Sequence, residues 1–246
     1  MLLPKPSDAI HKAWLYSILT EIADHSFLAS VLRFKGGTCA AMLDLLARFS
    51  VDLDFDLIDS SQVSAVQKEL EKIFKKLGLS IKDQSQKAPQ YFLKYPSQNR
   101  DRNTLKLDVS FPPTQANDYE AYRLKDIDRI FNCQTPESMF ANKLVALKDR
   151  YEKTGAIAGR DMFDLHSFFM RGMAFKSEII VERRQSDVRS YLKELKAFIE
   201  TNVTQKSMDQ DLNTLLPAEE FRKMRTLIKP QVLVFLNELI NSNSVS

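Results

Sequence analysis

The sequence predicts an α+β fold, with a mixed sheet-and-helix half followed by an all-helical half. Three observations carry this expectation. Residues 51–57 and 104–111 alternate apolar and polar side chains, the period that puts neighbours on opposite faces of a strand. Segments such as 61–77 repeat apolar residues three and four apart, the spacing of one helical face. From Thr135 onward strand signals fade and helical spacing dominates, which divides the chain into domains at 1–133 and 134–246.

Taken in order, residues 8–30 read as a helix capped by Ser7, with Ile10, Trp14, Ile18, Ile22 and Leu28 on its apolar face. Val31 to Phe34 is short and apolar enough for a strand. Gly36 and Gly37 break the pattern, and Thr38 can cap a helix running to about Ala47. In the strand 51–57, Val51, Leu53, Phe55 and Leu57 face one side and Asp52, Asp54 and Asp56 the other. The amphipathic helix 61–77 stops at Gly78. Strands follow at about 79–84, 90–95 and 104–111, the last ended by Pro112-Pro113, and then a polar connector to about 133. Thr135 and Pro136 form a cap followed by proline in the first turn, with Phe140, Leu144, Leu147 and Tyr151 as the core stripe. Further helices are expected at about 160–171, 176–201 and 217–241, before a frayed tail, NSNSVS.

Composition is that of a globular protein: 246 residues, 44% hydrophobic and 27% charged. The net charge of +3 neither requires nor opposes a nucleic-acid partner. Cys39 and Cys133 lack metal spacing and predict no disulfide framework, which points to a reducing cytoplasm. No segment has the length and apolarity of a signal peptide or a membrane span, so no membrane partner is expected.

The chemistry concentrates in FKGGTCAAMLDLLARFSVDLDFDL, residues 34–57. Asp52 and Asp54 project from one face of a strand, where like charges repel unless a cation intervenes. Mg²⁺ takes oxygen ligands, commonly one or two carboxylates plus substrate phosphates. Asp108 faces correctly on a neighbouring strand to be a third ligand. Asp56 lies on the rim of such a site or faces solvent. A strand, a Gly-Gly turn and a helix start offer backbone N–H groups to a triphosphate. Together these elements suit nucleotidyl transfer from an NTP. Gly-Gly alone is usually just a turn, and an acid-alternating strand is usually a solvated face; the combination is what points to a site.

A second cluster lies in NKLVALKDRYEKTGAIAGRDMFDLHSF, residues 142–168. Lys143 and Arg150 share a helix face, as do Asp161 and Asp164. A lysine beside a triphosphate stabilises transition-state charge, and an aspartate can orient it. An interhelical salt-bridge network satisfies the same pattern. Basic residues are scattered: Lys68, Lys72, Lys75 and Lys76 on one helix, then Lys94, Arg100, Arg102 and Lys106. They could guide an RNA backbone, but such lysines ordinarily solvate a helix face.

KGGT (35–38), RFSVDLDFDL (48–57), NKLVALKDR (142–150) and RDMFDL (160–165) resemble the four motifs of the AbiEii/AbiGii nucleotidyltransferase toxins of type IV toxin–antitoxin and abortive-infection systems. The resemblance covers about residues 30–170. It implies a polymerase-β-like nucleotidyltransferase domain followed by a helical domain that completes the active site. It implies phosphate contact at Gly36 and Gly37, with Thr38 closing that motif, and metal binding by Asp52 and Asp54. Lys143 matches the lysine of the third motif, and Asp161 or Asp164 the acid of the fourth. Arg48 and Ser50 match polar positions near the triphosphate. The second motif is poorly defined, which leaves Asp108 resting on its facing. The implied cofactor is Mg²⁺. The implied partners are an NTP, an RNA acceptor such as the tRNA acceptor end, and a separately encoded antitoxin that acts without stable contact. A protein or small-molecule acceptor, or a non-catalytic nucleotide- or RNA-binding role, are the alternatives.

Overall fold

A computed structural model describes residues 3–96 and 102–242; Arg100 and most of the NSNSVS tail lie outside them. The first part of the chain runs α1 (Asp8–Asp24), α2 (Ser26–Val31), β1 (Leu32–Lys35), α3 (Gly36–Met42), β2 (Asp52–Leu57), α4 (Val63–Lys76), β3 (Ser80–Gln84), β4 (Gln90–Lys94), β5 (Thr104–Ser110), β6 (Tyr119–Leu124) and β7 (Arg129–Gln134). The strands form one seven-stranded mixed sheet in the order β3-β4-β5-β2-β1-β7-β6. β2 is antiparallel to β1 and parallel to β5, while β1 is parallel to β7. The two strands that flank the Gly-Gly turn are therefore central, and neither exposes an edge.

Alternation along β2 does what the sequence predicts. Leu53, Phe55 and Leu57 are fully buried. Phe55 meets Phe34 of β1 and Phe131 of β7 at centroid distances of 5.3 and 6.1 Å, a three-ring cluster beneath the centre of the sheet. α4 buries Val66, Leu70, Ile73 and Phe74. On its outer face, Lys72 and Lys76 pair with Glu69 and Glu21 at 2.8 and 2.6 Å.

The first helix departs from expectation. Ser7 has helical backbone and makes no cap bond, and the chain breaks at His25, whose ring accepts from the Leu28 N–H. The buried face is His11, Leu15, Ile18, Leu19 and Ile22, while Ile10 stays 55% exposed. The face is turned because His11 is drawn inward. Its Nε2 donates to the Val51 carbonyl at 2.9 Å, and its Nδ1 lies 2.9 Å from the Tyr95 hydroxyl. Burial holds this imidazole's pKa below the ordinary value.

The stretch expected as a polar connector is the β6–β7 hairpin. Its polarity reflects an edge position: β6 covers only β7, so most of its side chains meet water. Past it, Thr135 caps α5 (Pro136–Thr154) as predicted, accepting from the Ser138 N–H. The helix expected at 160–171 is α6 (Gly159–Met170), whereas that at 176–201 is split into α7 (Ser177–Arg184) and α8 (Val188–Asn202), that at 217–241 into α10 (Ala218–Met224) and α11 (Ile228–Asn241), and α9 (Gln205–Leu212) lies where no helix was expected. Gln185 at φ 52° and the Asp187 cap separate α7 from α8. α9 starts with a Thr204–Ser207 capping box.

α6 begins in tight contact with α9. A Cβ on Gly159 would stand 2.5 Å from the Met208 carbonyl oxygen and 2.6 Å from its Cα. Gly159→Ala is expected to cost about 1–3 kcal/mol by forcing the two backbones apart. A melt should show Tm lowered by several degrees, and an unchanged Tm would contradict this close approach.

Candidate active site

The two glycines are fixed by what lies on them. Gly36 follows β1 with φ +79°, and a Cβ there would stand 2.4 Å from Asp54 Oδ2. At Gly37 a Cβ would stand 2.6 Å from Arg48 Nη2 and 3.0 Å from Ser50 Oγ. Bare backbone is thus required for the strand–helix turn to nest against a carboxylate on one side and a guanidinium on the other. Thr38 does not cap this helix; Lys35 occupies the cap position and α3 starts at Gly36. The buried Thr38 hydroxyl instead donates to the Asp52 carbonyl (2.5 Å) and shares a hydrogen bond with Ser50 Oγ (2.9 Å). It locks α3 to β2 from behind.

Asp52 and Asp54 line a cavity of about 250 Å³ together with Gly36, Gly37, Arg48, Ser50 and Lys143. Asp108 also lines it, directly opposite Asp54 in the β2–β5 register. Burial raises the Asp54 pKa to about 6, and Asp52 adds to the shift while Lys35 opposes it. The carboxylate of Asp108 is taken up by Lys106 at 2.5 Å and Gln90 at 3.0 Å. Arg160 approaches Asp52 at 3.9 Å. Among the described residues no set of three His, Cys, Asp or Glu side chains is disposed to hold a metal. The donor set nearest to a cation site is therefore the Asp52–Asp54 pair. It fits Mg²⁺, which needs only one or two carboxylates when phosphates and water complete its shell.

Asp56 is not at a rim or in solvent. It is 1% exposed, paired with Lys35 at 2.6 Å and accepting from the Tyr119 hydroxyl at 2.8 Å. The β6–β7 hairpin supplies Tyr119, so the missed hairpin and the misplaced aspartate have one cause.

The helices α5 and α6 form the facing wall. Lys143 Nζ lies 3.1 Å from Asp161 Oδ1 and 2.8 Å from Asp164 Oδ2. Arg150 Nε donates to Asp161 Oδ2 at 3.0 Å. Arg48 gives Asp164 a two-pronged bond through Nε (2.6 Å) and Nη2 (2.8 Å). Both aspartates are fully buried. The salt-bridge network and the positioned lysine, alternatives in the sequence, are the same object here. Burial alone would raise the Asp161 pKa, but Lys143 and Arg150 outweigh it and hold it at about 2. Asp164 likewise falls below the ordinary range, because Arg48 and Lys143 overcome its burial. Lys143 and Arg48 are desolvated too, yet the two carboxylates hold both above their usual values.

Of the residues singled out from sequence, Gly36, Gly37, Arg48, Ser50, Asp52, Asp54, Asp108 and Lys143 line the cavity. Thr38, Asp161 and Asp164 stand behind it and hold the liners. Lys106, Arg150 and Arg160 also line it without having been assigned there. For Lys106 the signal was present, since it lies two residues before Asp108 and so shares its strand face.

The sequence over residues 17–233 matches the family described as Nucleotidyl transferase AbiEii toxin, Type IV TA system. The chain belongs to this family. As an AbiEii-family member it is a nucleotidyltransferase, and the cavity between Asp52 and Lys143 is where its motifs converge. Its fold matches the crystal structure of JHP933 from Helicobacter pylori, with TM-score 0.60 and 20% identity, over 98% of this chain and 93% of that one. A putative nucleotidyltransferase from H. pylori matches with TM-score 0.60 and 21% identity, over 96% of this chain and 95% of that one. A looser likeness, TM-score 0.48 and 15% identity, links 91% of this chain to 83% of MenT4, a nucleotidyltransferase toxin from Mycobacterium tuberculosis. No curated protein sequence matches the chain.

Two outcomes are expected for this AbiEii-family wall. Asp164→Ala strands Arg48 and Lys143 as buried, underpaired cations, and should cost about 3–5 kcal/mol in urea unfolding. Asp161, whose pKa falls from an ordinary 3.8 to about 2, stabilises the fold above pH 4. That contribution, on the order of 2 kcal/mol, should be lost as pH falls from about 4 to about 2. In Asp161→Asn this acid limb of the stability–pH curve should flatten.

Proposed function

We propose that this family member transfers an NMP unit from an NTP, with Mg²⁺, to a hydroxyl of RNA such as the tRNA acceptor end. The observation that supports it most is the convergence of Asp52, Asp54, Lys143 and the Gly36–Gly37 turn on one cavity. A triphosphate there meets the glycine backbone on one side and Lys143, with Arg150 and Arg160 near the mouth, on the other. Asp52 and Asp54 would hold Mg²⁺; when bound it would neutralise phosphate charge and favour in-line displacement. The raised pKa of Asp54 supports this, since crowded buried carboxylates gain most from a cation.

In the reaction the acceptor oxygen forms a bond to the α-phosphorus. The α–β bridging bond breaks, pyrophosphate leaves, and the hydroxyl proton passes to a cavity carboxylate. Lys143 serves by countering the charge that grows on the phosphates. Asp161 and Asp164 act through it, by holding its Nζ from behind. The helices after residue 134 thus complete a site whose acids come from the sheet. This reading carries a separately encoded antitoxin, in keeping with the type IV family description. It also sets the reaction in the cytoplasm, consistent with two free buried cysteines and, among the described residues, no helix long and apolar enough to cross a membrane.

The test is transfer of label from each α-³²P-NTP to purified tRNA with Mg²⁺. Wild type should label tRNA, while Asp52→Asn and Lys143→Ala should each lose roughly a hundredfold or more in rate. Label on protein or metabolite instead would shift the acceptor, and no label with a folded protein would refute the reading.

A further inference from the structure

A second cavity, about 320 Å³, shares Gly36 and Lys143 as walls with the first. Neither Asp52 nor Asp54 lines it. Its apolar walls include Pro112, Pro113, Met139 and Phe168. Its polar wall is a chain of side chains already bound to one another. Arg183 Nη1 donates to Asn142 Oδ1 (2.7 Å), and Asn142 Nδ2 donates to Asn117 Oδ1 (2.7 Å) and the Ser138 carbonyl (2.8 Å). Asn117 Nδ2 reaches the Tyr119 hydroxyl at 3.3 Å. These groups are rigidly placed and mutually satisfied.

Gln134 breaks that rule. It lines the cavity at the end of β7 and is 2% exposed. Its Nε2 is the one buried side-chain polar atom among the described residues without a hydrogen-bond partner. A buried donor left unpaired is costly, and a native fold that keeps one calls for an explanation. An acceptor on a ligand in the cavity would supply it once the Gln134 amide turns from its sealed position toward that space. The ligand must be small, must present a hydrogen-bond acceptor, and must attach to whatever occupies the adjoining space at Gly36; a nucleobase, with its ring carbonyls and ring nitrogens, meets all three.

We infer that this cavity holds the nucleobase of the incoming NTP, and that Gln134 reads it by donating from Nε2. The inference rests on the proposed seating of the triphosphate at Gly36–Gly37. A base linked through its ribose to phosphates there passes Gly36 and Lys143 into the second cavity. A volume of this size lies in the range of small-molecule sites. Gln134 is thereby a specificity residue rather than a catalytic one.

The experiment is calorimetric titration of wild type, Gln134→Met and Gln134→Glu with each of the four NTPs and with inorganic triphosphate, in Mg²⁺. Gln134→Met removes an unpaired buried donor and no existing bond, so it should melt at or above the wild-type temperature. Wild type should bind one NTP more tightly than the others and than inorganic triphosphate. Both variants should lose roughly tenfold in affinity for that NTP, narrowing the ranking, while inorganic triphosphate binds as before. Unchanged NTP affinities and ranking in the variants would overturn the inference and leave the triphosphate seating intact. Wild type that binds no inorganic triphosphate, with NTP binding still sensitive to Gln134, would sink the seating and keep the base cavity. Competition by free nucleosides against the NTP on wild type needs no variant. It should follow the same ranking, and absence of any competition at millimolar nucleoside would count against the cavity.

Discussion

The buried contact between Arg48 and Asp164 is the constraint on which the site turns. It joins the segment between α3 and β2 to the middle of α6, two regions 116 residues apart in sequence. Arg48 lies directly on the backbone of Gly37, and Asp164 also holds Lys143. One carboxylate therefore sets the distance between the glycine turn and the lysine across the cavity. Desolvating these charges is expensive, and the cost is met because each oxygen and nitrogen has a partner in good geometry. Such a network gains little over an apolar core in stability. It does fix one arrangement, because any shift of α6 leaves a buried charge exposed to nothing.

Charge is distributed unevenly about the cavity, and that asymmetry makes it chemically useful. On the sheet side burial, and after it the neighbouring Asp52, raise the Asp54 pKa despite Lys35 and Lys106. On the helix side the acids are saturated by Lys143, Arg150 and Arg48, so they stay ionised far into acid. Under the proposed function the carboxylates would hold the cation and the cations across the gap would face the phosphates. Water is partly excluded, so both interactions would be stronger than at a surface. The aspartates of RDMFDL thus stand behind the cavity and the aspartates of VDLD line it, although both pairs look alike in sequence.

How much was legible depended on whether the signal was local. Alternation in residues 51–57 placed Leu53 and Phe55 inside and Asp52 and Asp54 together on the other face. The Thr135–Pro136 start and the stripe of α5 were equally plain, and put Lys143 and Arg150 on one side. The β6–β7 hairpin was missed because β6, at the edge, does not need an apolar face, and β7 beside it places only two apolar residues, Phe131 and Cys133, in the core. With it went Asp56, whose burial depends on Tyr119. The first helix face was misjudged because the four-residue spacing was followed from Ile10, whereas a buried acceptor at Val51 and the Tyr95 hydroxyl draw His11 into the core. The pairs α7–α8 and α10–α11 were each merged, since residues such as Gln185 in a left-handed turn carry no strong breaker signal, and the short α9 was not expected at all.

By itself the sequence determined the fold class, the family, and a set of candidate site residues that the fold brings to one cavity. These follow from periodicity and from motifs confined to a few turns or one strand. Tertiary structure alone decided which charges face the cavity and which brace it, why both glycines must lack a side chain, and that a second cavity with an unpaired Gln134 adjoins the first. Those properties arise from contacts between residues 34–57, 108–134 and 142–183, and a pattern read along the chain has no access to separations that only folding closes.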